Sequence, residues 1–349
     1  TGRVGFIRSP TTNHLFTICS FGSDNFLSIL IMPATISTAP GKTILFGEHA
    51  VVYGPPAIAV PINERQAKVK IFPSIGSPTG DVQFIAPQVE FDKNYNEMDI
   101  HHPLRIAVDE VKKYLNISDY PACKVHMSST ISISAGLGSS AAISVALIKG
   151  LFNFVGYQPS QKEISDLAYL VEIEFHGTPS GIDNTVIAFN RPVYYQKNKE
   201  FEFIIPGGEF TIIIADSGVK GNTKEAVSAV RERWRNNPNQ FEDYFKNIGE
   251  IVINAKTALE TGNQAHLGKL MIANQDLLRK IGVSHPSLEN LIEIAQNNGG
   301  QGAKLCGGGL GGNIIILTDK NKAETLSEVL LKNGASQAII MTLTKDKYV

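Results

Sequence analysis

The chain has 349 residues, of which 43% are hydrophobic and 19% charged, enough for one large domain or two ordinary ones around a sizeable core. A formal net charge of -1, from 32 basic and 33 acidic residues, argues against a broad electrostatic surface for nucleic acid or anionic membrane, and leaves room only for a local basic pocket. Three cysteines, Cys19, Cys123 and Cys306, are too few and too scattered for a disulfide framework or a zinc site, so a cytoplasmic, reducing location is expected.

No apolar run reaches transmembrane length. Residues 1–31 lack periodicity and the ordered basic, apolar and small-residue segments of a signal peptide. A leader of non-native origin or without fixed structure is expected there, with Met32 as the biological start; an ordered N-terminal arm is the competing reading. From Thr35 the pattern is strand-like through Ile36, Ile44 to Phe46, Ala57 to Ile62 and Ala67 to Phe72. His101 to Leu115 reads as a helix, with Pro103 in the first turn and Leu104, Ala107, Val108, Val111 and Leu115 on one stripe. Cys123 to Ile133 alternates as a strand, and AAISVALIKGLFNF, apolar nearly all round, reads as a buried helix. Ser160 and Glu163 form a capping box for the next helix, whose stripe is Ile164, Leu167, Ala168, Val171 and Phe175, with Glu172 at its edge.

A locally charged stretch after Tyr195 marks the expected domain boundary. Residues 32–198 then form the N-terminal domain and 199–349 the C-terminal one. The second half reads as a strand from Phe210 to Ala215 and helices near 223–235, 240–260, 264–281 and 286–297. A glycine-rich segment follows, then a strand from Asn313 to Leu317, a helix near 321–333 and a strand from Gln337 to Leu343. Mixed elements without regular βαβ alternation predict an α+β fold in both domains.

Four segments carry chemistry. In STAPGKTILFGEHAVVYG, Gly41-Lys42-Thr43 spells the end of a phosphate-binding P-loop, but the glycine five positions earlier is Ile36 and Pro40 removes an amide donor. SAGLGSSAA, Ser134 to Ala142, has the glycine spacing of a dinucleotide fingerprint without the second strand and acidic residue that fingerprint requires. Its physical content is still an anion site: small residues admit a phosphate, and the helix beginning near Ser139 aims free amides at it. In HGTPSGIDN, Pro179 and Gly181 fix a turn that presents Asp183. KLCGGGLGGN, Lys304 to Asn313, packs five glycines into seven residues, which signals close backbone approach or, failing that, a flexible hairpin turn. His176, His285 and the His101-His102 pair lack partners at metal-ligand spacing and read as surface or capping residues, and Cys123 as core.

Together, and in this order, the four segments resemble the GHMP kinases, named for galactokinase, homoserine kinase, mevalonate kinase and phosphomevalonate kinase. GEHAVVYG resembles most nearly the branch acting on mevalonate. The resemblance runs from about Thr35 to the C-terminus. It implies a ribosomal-protein-S5-like N-terminal domain and a ferredoxin-like C-terminal one, with ATP and a small alcohol meeting in the cleft between them. It further implies Asp183 as the catalytic aspartate paired with Lys42, and Ser140 and Glu172 as Mg²⁺ ligands. Ser134, Ala135, Gly136, Leu137, Gly138, Ser139 and Ser140 would surround the ATP phosphates, Glu48 and His49 border mevalonate, and Thr223 lie near the reacting groups. The implied activity is transfer of the ATP γ-phosphate to the mevalonate 5-hydroxyl, feeding isoprenoid biosynthesis. Another GHMP acceptor (phosphomevalonate, homoserine or a sugar) and an inactive nucleotide sensor are the competing readings, and a homodimer stays open. The third motif departs from the family, which usually has threonine or another small hydroxyl residue at Cys306, alanine at Gly308 and glycine at Leu310.

Overall fold

The computed structural model describes residues 4–8, 15–19, 33–132, 136–176, 179–197 and 199–348. Two short strands, β1 (Val4–Arg8) and β2 (Leu15–Cys19), pair antiparallel with Val4 opposite Cys19. They belong to a unit spanning Thr1–Met32, separate from Pro33–Val349. Most of the expected leader lies outside the described residues.

Within Pro33–Val349, strands β3 (Thr35–Phe46) and β4 (Ala57–Pro73) form a long antiparallel pair, joining what the sequence suggests are four shorter strands. Their ladder slips between Pro40 and Gly41, where the partner jumps from Gln66 to Ile62. Pro40 has no amide to donate, so a bulge is the natural outcome. Strands β5 (Val82–Ala86) and β6 (Phe91–Asn94) follow, then helix α1 (Pro103–Leu115) and β7 (Cys123–Ser129). His102 caps α1, its Nδ1 accepting from the Leu104 amide. Strand β7 stops short of the expected Ile133, because the Ser129 hydroxyl accepts from the Ile131 amide and turns the chain.

Helix α2 (Ser139–Phe154) is buried on nearly every face and packs on β3, where Ser37 Oγ donates to Ala146 O at 2.6 Å. Helix α3 (Gln161–His176) starts at the expected capping box, with Ser160 and Glu163 exchanging backbone-to-side-chain bonds of 2.6 and 3.2 Å. Helix α4 (Ile182–Phe189) corrects the expectation of a bare turn around Asp183. Gly181, left-handed at φ 82°, opens it, and Ile182 and Val186 bury against Ala57, Ala59 and Val193. Strands β8 (Val193–Tyr195) and β9 (Glu202–Phe203) complete a sheet ordered β6-β5-β7-β4-β8-β9, with β3 also on β4.

The remaining elements are β10 (Phe210–Asp216), α5 (Thr223–Asn236), α6 (Pro238–Glu260), α7 (Gln264–Lys280), α8 (Pro286–Asn297), β11 (Gly300–Cys306), β12 (Asn313–Thr318), α9 (Ala323–Lys332) and β13 (Gln337–Leu343). The antiparallel sheet β11-β12-β10-β13 is built from these. Strand β11 is the element that the glycine-rich reading hides. Pairing to β12 and burial of Ala303 and Leu305 override the poor strand propensity of its glycines. No helix among the described residues is long and apolar enough to cross a membrane.

Candidate active site

Gly41 answers the question raised by Gly-Lys-Thr. A Cβ there would lie 3.1 Å from Leu137 O, and the Lys42 amide donates to that same carbonyl at 2.9 Å. The glycine therefore lets β3 approach the loop ahead of α2; it is not part of a P-loop. That loop carries Gly136 at φ 71° and Gly138 at φ 74°, and Gly138 caps α2 in the left-handed region. Ser139 and Ser140 occupy the first turn, where helix amides have no intrahelical partner and the dipole is positive. Ser134 and Ala135 lie outside the described residues.

Lys42 crosses this loop, as a Cβ on Gly138 would sit 2.8 Å from Lys42 Cγ. Its Nζ ends 3.0 Å from Asp183 Oδ1, with the lysine side chain 9% exposed and the aspartate 35% exposed. The pair is thus buried on the lysine side and open on the carboxylate side. Asp183 is held by α4, which is pinned to α3 through Asn184 Nδ2 bonds of 3.1 and 3.0 Å to Ser165 O and Oγ. Glu172, on α3, is buried at 4% exposure. Ser140 lies in the first turn of the adjoining α2. Among the described residues no three His, Cys, Asp or Glu side chains cluster for a metal. A serine hydroxyl and a carboxylate are hard oxygen donors, and a pair of them would suit an ion that keeps most of its shell as water and phosphate.

The Glu48-His49 pair forms a sharp turn. Ala50 N donates to Glu48 O at 2.6 Å across His49, whose φ is 61° and ψ -48°. This is a positive-φ γ-turn, a rare and strained conformation for a residue with a Cβ. A single 3₁₀ turn, Ala50–Tyr53, follows and is anchored by Tyr53 stacking on Phe245 of α6 at 4.2 Å. Burial lowers the His49 pKa to about 4, so the ring is neutral. Its Nε2 lies 2.9 Å from Gly308 O. A carbonyl only accepts, so Nε2 carries the proton and Nδ1 is an acceptor.

Glu48 faces inward and makes an ion pair with Lys304 of β11, both side chains being fully buried. Lys304 Nζ also donates to Leu305 O at 2.7 Å and stands 5.9 Å from the Phe46 ring centroid. Burial raises the Glu48 pKa and Lys304 opposes that rise, as Lys42 does more weakly. Glu48 Oε2 is buried without a hydrogen-bond partner among the described residues.

The glycine-rich segment is the connection of a hairpin, from Cys306 at the end of β11 to Asn313 at the start of β12, and it is tethered on both sides. Leu310 N donates to Val283 O at 2.8 Å and Gly312 N to Val219 O at 2.7 Å, while a Cβ on Gly309 would meet Val283 O at 2.2 Å. Leu310 keeps the left-handed course that a glycine would follow, at φ 56°. Cys306 is buried, and its thiol is pushed up to about 11 by burial, offset in part by a hydrogen bond with Thr43. Thr223 begins α5 under the Asn222 cap, directly against Gly308. A small opening is lined by Gly136, Gly221, Thr223, Cys306, Gly308 and Gly309, bringing the first glycine loop, the second and α5 together.

The structure thus gathers Lys42, Asp183, Gly138, His49, Glu48 and Thr223 around the two loops. Lys304 is the residue that sequence reasoning passed over. A lone lysine between Ala303 and Leu305 in an apolar run was the available signal, since a buried lysine demands a partner.

The family model for the GHMP kinases N terminal domain matches residues 102–191, and that for GHMP kinases C terminal matches residues 255–336. The mevalonate kinase of Pyrococcus abyssi is 34% identical over 319 residues, covering 86% of this chain and 93% of that protein. The Saccharolobus solfataricus mevalonate kinase is 32% identical over 319 residues, covering 88% and 96%. Among solved structures, L. major mevalonate kinase in complex with R-mevalonate aligns at TM-score 0.76 and 27% identity, over 90% of this chain and 98% of that one. The Methanococcus jannaschii mevalonate kinase aligns at TM-score 0.75 and 29% identity, over 89% and 98%. Identity of this extent over most of the chain, with family models matching in both halves, places the chain in the GHMP kinase family, among its mevalonate kinases.

Proposed function

We propose that the protein transfers the γ-phosphate of ATP to the 5-hydroxyl of mevalonate. The observation that carries this reading is the Lys42–Asp183 pair, 3.0 Å apart and open on the aspartate side, beside the loop that opens α2. Phosphoryl transfer asks for an aligned alcohol and neutralised oxygens more than for a strong base. Asp183 accepts the hydroxyl's hydrogen bond, fixes its direction and takes its proton late. Lys42 holds that carboxylate and offers positive charge to the transferring group. The free amides at Ser139 and Ser140 and the α2 dipole receive the phosphates. Ser140 and Glu172 would hold Mg²⁺, which when bound neutralises triphosphate charge and orients its oxygens. The Glu48-His49 turn and Thr223 border the acceptor. The reading places two lobes, 32–198 and 199–349, on either side of this site, in a cytoplasmic enzyme.

The test is ADP release with Mg-ATP across mevalonate, phosphomevalonate, homoserine and galactose. Turnover is expected with mevalonate, and turnover of another alcohol without mevalonate refutes the reading.

A further inference from the structure

The γ-turn at His49 needs an explanation beyond its sequence. A non-glycine residue in such a conformation is strained and persists only where its surroundings over-determine it. Two contacts do so here, one on each side of the strained bond, and both come from the far end of the chain. On one side, Glu48 is tied to Lys304 of β11 in a pair with no exposed surface. On the other, His49 Nε2 is tied to Gly308 O, four residues after Lys304. The end of β11 and the glycine loop that follows it therefore grip both residues of the turn.

We infer that Lys304 is a positioning residue: through Glu48 it holds the strained His49 turn, so that the ring keeps Nε2–H on Gly308 O and its Nδ1 lone pair remains available to a hydroxyl of the acceptor alcohol. The inference rests on the proposed function only for the identity of that alcohol. A buried Lys–Glu pair is a poor source of stability, because desolvation offsets most of its attraction, and a neutral pair of similar volume often serves as well. Its value here is geometric. Lys304 touches no reacting atom; it fixes the residue that borders the acceptor. The charged group that bears on the His49 ring is Lys304 itself, with Lys42 facing Glu48 from β3. The clamp also joins the acceptor side to the second glycine loop, because Gly308 belongs to that loop and rests on Thr223.

The experiment uses the double variant Glu48→Gln/Lys304→Met in the full chain, which buries no unpaired charge. Ring ¹⁵N shifts of His49 report the tautomer directly, without substrate. The wild type should show a fixed Nε2–H tautomer, and the double variant an average of the two. The KM for the acceptor should rise about three- to tenfold, the loss expected for one oriented neutral hydrogen bond, while the KM for ATP stays within about twofold. A fixed Nε2–H tautomer and an unchanged acceptor KM in a folded double variant would overturn the inference and leave the pair a purely structural one. An equal rise in both KM values would also overturn it, since that reports collapse of the glycine loop. Kinetics are run on whichever alcohol the wild type accepts, so failure with mevalonate counts against the proposed substrate, and the tautomer result stands apart. Should the double variant not fold, Lys304→Arg keeps the charge and should preserve the tautomer; averaging there overturns the inference.

Discussion

Gly308→Ala is the sharpest perturbation the site offers, because related motifs tolerate alanine at this position and the structure does not. A Cβ built there would lie 2.7 Å from Thr223 Oγ1, 2.9 Å from Thr223 Cα and 3.0 Å from Thr223 Cβ. Comfortable carbon contacts are about 3.5–4.0 Å, so something must move by the better part of an ångström. Rotating the hydroxyl away clears only the first clash. The other two involve the backbone start of α5, which is held by the Asn222 side chain accepting from the Glu225 amide at 3.2 Å. On the loop side, Gly308 O is held by His49 and the neighbouring Leu310 N by Val283 O. With both sides tethered, overpacking should cost about 1–3 kcal/mol, a fall of a few degrees in Tm. Displacing the Gly308 carbonyl should also loosen His49 and raise the acceptor KM. Thermal unfolding followed by initial rates against both substrates measures this. A Tm within a degree of wild type, with unaltered KM values, would refute the packing argument. Thr223→Ala in the same background should recover only part of the loss, because Cα and Cβ remain.

Asp183→Ala should leave ATP binding, read by calorimetry, close to wild type and reduce kcat at least a hundredfold; near-normal turnover would remove Asp183 from the proposed role. Leu310→Gly should stabilise the protein by up to about 1 kcal/mol, since the left-handed conformation costs leucine about 1–2 kcal/mol and glycine returns part of that gain as backbone entropy; a lower Tm would mean that the leucine side chain contributes more than its strain removes. His49, lowered from 6.5 to about 4, binds a proton more readily when unfolded. Stability linked to it is therefore complete above pH 6.5 and is lost as pH falls towards 4, by about 1.4 kcal/mol per unit within that window. Glu48, with its pKa raised, titrates with the opposite sign, so the comparison must be made with His49→Gln, which should show a flatter loss between pH 6.5 and 4 in urea unfolding. Parallel curves for the two proteins would contradict the burial of a neutral His49.

Local features of the fold could be read from the sequence because their causes are local. The capping box at Ser160 and Glu163, the His102 cap and the stripe of α1 all depend on residues within a turn or two. Helices α5 to α8 fall within about two residues of their expected limits for the same reason. What stayed hidden is non-local. Lys304 meets Glu48 across 256 positions, and His49 meets Gly308 across 259, separations that no pattern window spans. Helix α4 escaped because eight residues opened by Pro179 and Gly181 look like turn chemistry until Ile182 and Val186 find a core to enter. The departure at Leu310 was visible, yet its consequence was not: the backbone keeps the glycine course and the leucine bears the strain.

The misleading Gly-Lys-Thr now has a physical cause. A P-loop wraps phosphate with successive amides, but here those residues are inside β3, and the Lys42 amide is already spent on Leu137 O. What the strand offers is position. The ladder slips opposite Pro40 and Gly41, where residues 63–65 of β4 go unpaired, and Gly41 permits the close approach of β3 to the loop that opens α2. Lys42 then extends across Gly138 to Asp183, and four residues after Lys42 the strand ends at Phe46, leading into the turn of Glu48 and His49. One strand thus supplies the partner of the aspartate and delivers the turn that Lys304 grips. A change in the register of β3 would move both together, so Pro40→Ala, which restores the missing amide, should disturb turnover through Lys42 and acceptor affinity through His49 in the same protein. Independent changes in the two would show that the bulge does not couple them.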